Sequence, residues 1–152
     1  MLNRRIFMSM AAILPGLGAA SAARAAAAAT KDSNKKHHVA YHVSEPGRVK
    51  FTLGNIRNHI NGVGGPENIE IVLVVHGPAL KLFNVLSGDQ TVLGKLARLQ
   101  KEAGVSFRAC GNTMNKLKLG MNDLPKGAVH LSQGGVVHLM ELQEAGFAYL
   151  RP

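Results

Sequence analysis

The single cysteine of this chain lies at a corner between a strand and a helix. Residues 105–113 read VSFRACGNT, so Cys110 follows a short β-like run and precedes a Gly-Asn-Thr helix start. A thiol at a helix N-terminus faces unpaired amide N–H groups and the positive end of the helix macrodipole, which favour the thiolate. Arg108 and Lys116 add positive charge close by in the sequence. The position predicts a nucleophilic thiolate, and the alternative is a small, inert, buried side chain.

Glycines and small polar residues also follow the other predicted strands. Because ligands of open α/β sheets bind outside the carboxyl ends of the strands, these corners predict one shared pocket. The candidate binding residues at the strand ends are His76, Gly77, Gly111, Asn112, Thr113, Gln133 and Gly134. His76 is placed either to orient or deprotonate a thiol or ligand, or only to hydrogen-bond to the backbone.

Other familiar chemical motifs are missing from the sequence. It has no C-x-x-C, H-E-x-x-H, G-x-S-x-G or phosphate-cradling glycine loop, and we expect neither a cofactor nor a metal. A zinc or copper site built from His37, His38 and His42 is an alternative, although the latter two lie four residues apart and need a third partner. His130 and His138 are expected to be structural or on the surface.

These residues must be positioned by an alternation of strands and helices. The apolar run IEIVLVV at 69–75 is typical of a strand buried on both faces of a parallel sheet. Apolar residues at helical spacing fill the segments between the strands, as in the helix that ends at Gly104. The five predicted strands cover 38–43, 69–75, 105–109, 128–132 and 147–150. This pattern predicts an α/β fold with a mostly parallel sheet.

The first residues resemble an export signal. Arg4 and Arg5 precede an uncharged, weakly apolar stretch that ends in alanine-rich A-x-A sites. The arginine pair followed by Ile6 and Phe7 is typical of a twin-arginine signal rather than a general secretory one. We therefore predict a signal peptide at 1–25, a flexible leader at 26–37 and a domain at 38–152. The mature protein is expected in the periplasm, without a stable membrane anchor.

Length and charge restrict the remaining possibilities. The 152 residues suit one domain, and one cysteine forms no disulfide within the chain. The formal net charge is +9, with 18 basic and 9 acidic residues. Arg4, Arg5 and Arg24 lie in the signal, so the mature chain carries 15 basic residues and a charge of +6. The charge is spread thinly and includes no arginine-rich helix, so we expect no nucleic-acid partner.

Three segments carry a family resemblance. IEIVLVVHGPAL, LQKEAGVSFRACGNTMNKLKLGMNDL and GGVVHLMELQEAGFAYLRP together resemble the DsrE/DsrF-like family of sulfur-relay proteins, in its single-domain branch. The resemblance implies a three-layer sandwich of YchN-like, flavodoxin-like topology, with helices on both faces of a five-stranded sheet. It also implies homo-oligomers, either trimers or hexamers.

The family's relay members carry sulfur as a persulfide on a cysteine after the third strand, and Cys110 occupies the matching position. The resemblance therefore implies a persulfide carrier, possessing sulfurtransferase-like activity if it is an enzyme, that exchanges sulfur with a donor or acceptor protein. The alternative is a non-enzymatic, oligomeric periplasmic binding module in which Cys110 is structural.

Overall fold

A computed structural model describes residues 36–152, and the predicted signal peptide and most of the leader lie outside them. Five strands form one sheet in the order β4-β3-β2-β1-β5. Every pairing in it is parallel. The strands are β1 (His37–Val43), β2 (Ile69–Val75), β3 (Ser106–Cys110), β4 (Val129–Leu131) and β5 (Ala148–Leu150). The predicted α/β class and five-stranded sheet are confirmed.

The central strand follows from its composition. β2 is flanked by β1 and β3, and its residues 71–75 are all buried. A strand that is covered on both faces needs apolar side chains in both directions, which explains the unbroken run. The edge strands β4 and β5 have three residues each and are largely exposed. Short edges leave few unpaired backbone groups for pairing with other chains.

Four α-helices connect the strands. They are α1 (Pro46–Gly62), α2 (Gln90–Ala103), α3 (Gly111–Leu117) and α4 (Gly135–Glu144). The boundaries of α2 follow standard capping rules: the Asp89 carboxylate accepts from the backbone N–H groups of Thr91 and Val92, and Gly104 adopts a left-handed conformation at φ 62°. The predicted end at Gly104 is confirmed. A 3₁₀ segment, Gly77–Phe83, fills part of the connection between β2 and α2.

The two faces of the sheet are covered unequally. Ile56 of α1, Leu96 of α2 and Met114 of α3 belong to the larger core cluster, on one face. On the opposite face, Leu139 and Leu142 of α4 pack in the smaller cluster. The predicted three layers are present, and a single ten-residue helix supplies one of them. Among the described residues, no helix combines the length and apolarity needed to cross a bilayer.

The strand order creates a switch point beside Cys110. The chain leaves β1, β2 and β3 toward the layer of α1–α3, whereas it leaves β4 toward α4 on the other face and returns to β5 beside β1. Flavodoxin also has one strand on the far side of β1, but there it is the second strand and here it is the last. A crevice opens between adjacent strands whose connections diverge. The strands with diverging connections are β3 and β4, and Cys110 and the loop 132–134 stand at their ends.

Candidate functional site

Cys110 is both the last residue of β3 and the N-cap of α3, so the strand extends one residue beyond its predicted end at Ala109. Its backbone is still extended, at φ −65° and ψ 119°. An N-cap side chain points back toward the free N–H groups of the first helical turn. The cysteine is 6% exposed, so the thiol is held beneath the surface rather than displayed on it.

Amide groups from two helices surround the sulfur. Burial raises the pKa of the Cys110 thiol, but hydrogen bonds from the Gly135 N–H, the Thr113 hydroxyl and N–H, and the Asn112 N–H outweigh it and hold the pKa below its ordinary value. Asn112 and Thr113 belong to the first turn of α3, and Gly135 is the first residue of α4. The sequence predicted that the start of α3 stabilises the thiolate. The start of α4 does so as well, which the sequence did not reveal.

Thr113 connects the cysteine to the end of β2. Its Oγ1 accepts a hydrogen bond from the backbone N–H of Gly77 at 2.9 Å. Because that bond uses a lone pair of the oxygen, the hydroxyl proton remains free to point at the sulfur. The side chain is 9% exposed, which keeps water from competing for either bond. Gly77 and Thr113, both predicted site residues, are thus brought together.

Close approach explains the glycines at the start of α4. A Cβ on Gly135 would lie 3.3 Å from the Cβ of Cys110 and 3.5 Å from the Cβ of His76. At Gly134, φ is +95° and a Cβ would lie 2.8 Å from Nδ2 of Asn112. A side chain at Gly135 would press α4 away from the ends of β2 and β3, and one at Gly134 would be strained by the positive φ and would displace the Asn112 amide. The two glycines therefore allow the helix end to reach the thiol.

His76 lies at the same edge of the sheet as Cys110, although it does not bond to the thiol. His76 and Cys110 follow the last paired residues of β2 and β3, Val75 and Ala109. They flank Gly135 on the same sheet face. The His76 ring instead meets His42, with 2.6 Å between the two Nε2 atoms. His42 Nδ1 in turn lies 2.7 Å from the Tyr149 hydroxyl.

Of the remaining predicted residues, Gly111 packs against the end of β4 and Gln133 is bonded to α4. A Cβ on Gly111 would collide with the Leu131 carbonyl oxygen at 2.6 Å, so this glycine lets α3 start against β4. The Gln133 side chain is exposed and donates to Glu141 Oε2 at 3.1 Å, away from the sulfur.

Arg108 and Lys116 do not reach the thiol in the way the sequence suggested. Arg108 donates to Nε2 of His138 at 2.6 Å, and Lys116 is exposed on α3. Because arginine has no acceptor, His138 accepts at Nε2 and carries its proton on Nδ1, which donates to Glu141 at 3.0 Å. His138 is thus a structural bridge between a strand and α4, as expected.

Sequence reasoning missed His42 and Tyr149 as members of this site. The spacing of His42 from His38 drew attention to a metal instead, but His38 pairs with Glu70 at 3.0 Å while His42 faces His76. Within residues 36–152, no group of three or more His, Cys, Asp or Glu side chains is arranged to hold a metal ion. The sequence could have revealed that His42 and His76 share a sheet face, because side chains alternate between the two faces along β1 and β2.

Comparison with known proteins supports a family assignment. The DsrE/DsrF-like family matches residues 15–152. A solved structure of a protein of unknown function, MTH1491 from Methanobacterium thermoautotrophicum, superposes with a TM-score of 0.67 at 27% identity, covering 77% of this chain and 100% of that one. No curated protein matches the sequence. Because the family match covers most of the chain, this protein belongs to the DsrE/DsrF-like family.

Proposed function

We propose that the protein is a sulfur carrier that holds sulfur as a persulfide on Cys110. The family suggests a role of the sulfur-relay type. The observation that carries the proposal is the position of Cys110 at the N-cap of α3 and beside Gly135 of α4, which places the N–H groups of two helix starts near one thiol. Such donors stabilise an anion, and both the thiolate and the persulfide are anions. The same cradle therefore serves the empty and the loaded carrier.

The transfer step is an exchange at sulfur. The Cys110 thiolate attacks the terminal sulfur of a donor persulfide, a new S–S bond forms, and the donor's S–S bond breaks to release the donor as a thiolate. The acceptor's thiolate later repeats the attack on the terminal sulfur of the Cys110 persulfide. No external oxidant or reductant is consumed. Because the chain has one cysteine, the sulfur has to arrive from a separate donor molecule and leave to a separate acceptor molecule.

Mass spectrometry of the reduced protein after incubation with polysulfide tests the proposal. We expect an increase of about 32 Da on Cys110, which dithiothreitol removes. Cys110→Ser should show no increase under the same conditions. An adduct that is equally abundant in Cys110→Ser, or no adduct on the native protein, would refute the sulfur-carrier function.

A second candidate is a binding module in which Cys110 is structural, and the low exposure of the thiol favours it. Titration of the native protein with a small thiol reagent distinguishes the two. A cysteine that reacts before the protein unfolds supports the carrier, and one that reacts only in denaturant supports the binding module.

We also propose that the chain assembles with copies of itself through the outer face of α4. Val136, Val137 and Met140 are 69%, 41% and 51% exposed on that helix, while Leu139 and Leu142 pack inward. A helix that is apolar on both sides is normally covered. In the trimer or hexamer that we propose, this face lies next to the Cys110 crevice, because α4 begins at Gly135.

Export is proposed from the N-terminal residues alone. Arg4 and Arg5 with the alanine-rich stretch after them fit a twin-arginine signal, and they lie outside the described residues. Replacing both arginines with lysine in the full chain should retain the protein in the cytoplasm of the expressing cells. Unchanged appearance in the periplasmic fraction would contradict this route.

A further inference from the structure

The rings of His42 and His76 meet head to head. Their planes are inclined by only 16° and their centroids are 4.7 Å apart. That separation is about as large as two rings can have when their nearest nitrogens are 2.6 Å apart. The line between the two Nε2 atoms therefore lies close to both ring planes, as in an in-plane hydrogen bond and not as in a stack.

A hydrogen bond between two neutral imidazoles contains one proton. If His42 carries it on Nε2, then His42 Nδ1 accepts from the Tyr149 hydroxyl and His76 is protonated on Nδ1. If His76 carries it on Nε2, then His42 Nδ1 donates to the Tyr149 oxygen and His76 Nδ1 is bare. His76, His42 and Tyr149 are thus joined by a continuous series of hydrogen bonds, and its donors can all point in either of two opposite directions.

Neither ring is suited to hold a positive charge. Burial, the neighbouring His76 and Arg151 lower the pKa of His42 to about 4, and Glu45 opposes them only weakly. Burial and Arg151 also lower the pKa of His76. Glu45 is itself paired with Arg151 at 2.6 Å. A proton that enters this chain near neutral pH therefore has to be passed on rather than stored.

The chain leads from the thiol to an open cavity. His76 and Cys110 stand at adjacent strand ends, where Cα atoms of a parallel sheet are about 5 Å apart. The ring makes no direct hydrogen bond to the thiol, so the proton passes between them through one water. At the other end, Tyr149 is 39% exposed. With His42 it lines a cavity of about 400 Å³ beside α4, whose rim includes Glu144.

We propose that His76, His42 and Tyr149 carry the Cys110 proton to this cavity, an inference that rests on the sulfur-carrier function. The thiol proton moves through one bridging water to His76 Nδ1, the His76 Nε2 proton to His42 Nε2, and the His42 Nδ1 proton to the Tyr149 oxygen, whose own proton enters the solvent. Cys110 becomes a thiolate, no ring gains charge, and nothing is oxidised or reduced. His42 and Tyr149 are positioning residues, because they act through His76.

Tyr149→Phe breaks the chain at its far end, and ring ¹⁵N NMR of histidine-labelled protein reports the result at pH 7. A proton on His42 Nδ1 would then lack its acceptor, so His42 should keep its proton on Nε2 and His76 on Nδ1. We expect tautomer-averaged shifts for both rings in the wild type and single-tautomer shifts in the variant. Identical shifts in the two proteins, or imidazolium shifts in the wild type, would overturn the proposal.

Tyr41→Phe is the matched control. The Tyr41 hydroxyl lies 3.0 Å from Nδ1 of His59, so the control also removes one hydroxyl from a Tyr–His pair, but it leaves the His42–His76 pair intact. The shifts of His42 and His76 should stay as in the wild type.

The pH dependence of Cys110 alkylation by iodoacetamide is the second measurement. As the pH is lowered from 7 to 5, the wild-type alkylation rate should fall by less than about threefold per pH unit, because His76 removes the proton as the thiol reacts. In Tyr149→Phe it should fall more steeply, by up to about tenfold per unit, as expected for a preformed thiolate. Equal slopes would contradict the relay. If the thiol does not react at all, the sulfur-carrier function fails. The NMR result still shows whether His76, His42 and Tyr149 form the proposed proton relay.

Discussion

At the scale of single residues, the reactivity of Cys110 is decided by competition between burial and hydrogen bonding. Burial in an apolar environment favours the neutral thiol. The donors from Asn112, Thr113 and Gly135 favour the thiolate and prevail, so the pKa lies below that of a free cysteine. Removing one donor should therefore shift the balance measurably while leaving the fold in place.

Thr113→Val removes the hydroxyl donor and keeps the side-chain shape. We expect the pKa of Cys110 to rise and the alkylation rate at pH 7 to fall about threefold to tenfold, since one pKa unit is a tenfold change in thiolate. Losing the acceptor for the Gly77 N–H should also cost about 1 kcal/mol of stability.

Thr52→Val is the matched control for this substitution. Thr52 is fully buried in α1, and its hydroxyl has no hydrogen-bond partner among the described residues. The control should leave alkylation unchanged without lowering stability. Equal alkylation rates in Thr113→Val and the wild type would show that the hydroxyl does not act on the sulfur.

His42 should make the fold sensitive to acid. Its pKa is about 4 in the folded state, against 6.5 when unfolded, so below pH 6.5 the unfolded chain binds a proton that the folded chain does not. Stability should decrease from pH 6.5 to 4, by on the order of 2–3 kcal/mol from this group, and level off below pH 4. Urea unfolding across this range measures the loss.

His42→Gln should flatten part of that pH dependence, whereas His37→Gln, at an exposed position on the same strand, should change it much less, because His37 acts only as a neighbouring charge on His59. The lowered pKa values of His59 and His76 leave a residual slope of the same sign. The interpretation fails if both variants lose stability with acid as steeply as the wild type.

At the scale of elements, the site depends on how near the start of α4 comes to the end of β3. Gly135 provides an N–H for the sulfur and, lacking a side chain, allows the approach. The first turns of two helices thus converge on one atom, although each connects different strands. The divergence of the chain after β3 and β4 brings about this arrangement.

Gly135→Ala tests the approach. An added Cβ would press on Cys110, Val74 and His76 at 3.3 to 3.5 Å, so α4 should retreat by a few tenths of an ångström. Alkylation at pH 7 should slow about threefold or more as the pKa of Cys110 rises. The lost packing should offset the helix propensity gained with alanine, which is about 1 kcal/mol.

Gly94→Ala is the comparison, because nothing lies within 4 Å of a Cβ at that position in α2. It should stabilise the protein by about 0.5–1 kcal/mol in urea unfolding and leave the thiol unchanged. If Gly135→Ala stabilises as much as Gly94→Ala with normal alkylation, the close approach is not what sets the thiol's reactivity.

At the scale of the whole molecule, the sheet is covered fully on one face and by one short helix on the other. The exposed apolar side chains of α4 are joined on that side of the molecule by Val129, which is 43% exposed. A monomer with such a surface would be prone to association. Assembly would shield this surface and restrict the routes by which a donor approaches Cys110.

Substituting lysine for Met140 should dissociate the proposed oligomer. A charge in the centre of an apolar contact is costly to bury, so we expect a trimer or hexamer for the wild type and a monomer for Met140→Lys by light scattering. Ala97→Lys, at an exposed position of α2, should retain the wild-type mass. A monomeric wild type, or an unchanged mass for Met140→Lys, would contradict assembly through α4.

The sequence determined the elements and the corner at which Cys110 stands. Residues 69–75 formed a strand at the predicted limits, and α2 ended where Gly104 required. These features depend on neighbours a few residues away, so periodicity and capping reveal them.

The tertiary structure alone decided the burial of the thiol, the contribution of Gly135, and the His42–Tyr149 contact between residues 107 positions apart. A single sequence does not state which strand ends become neighbours. Strand order is set by how the helices cover the two sheet faces, and that is a property of the packed chain as a whole.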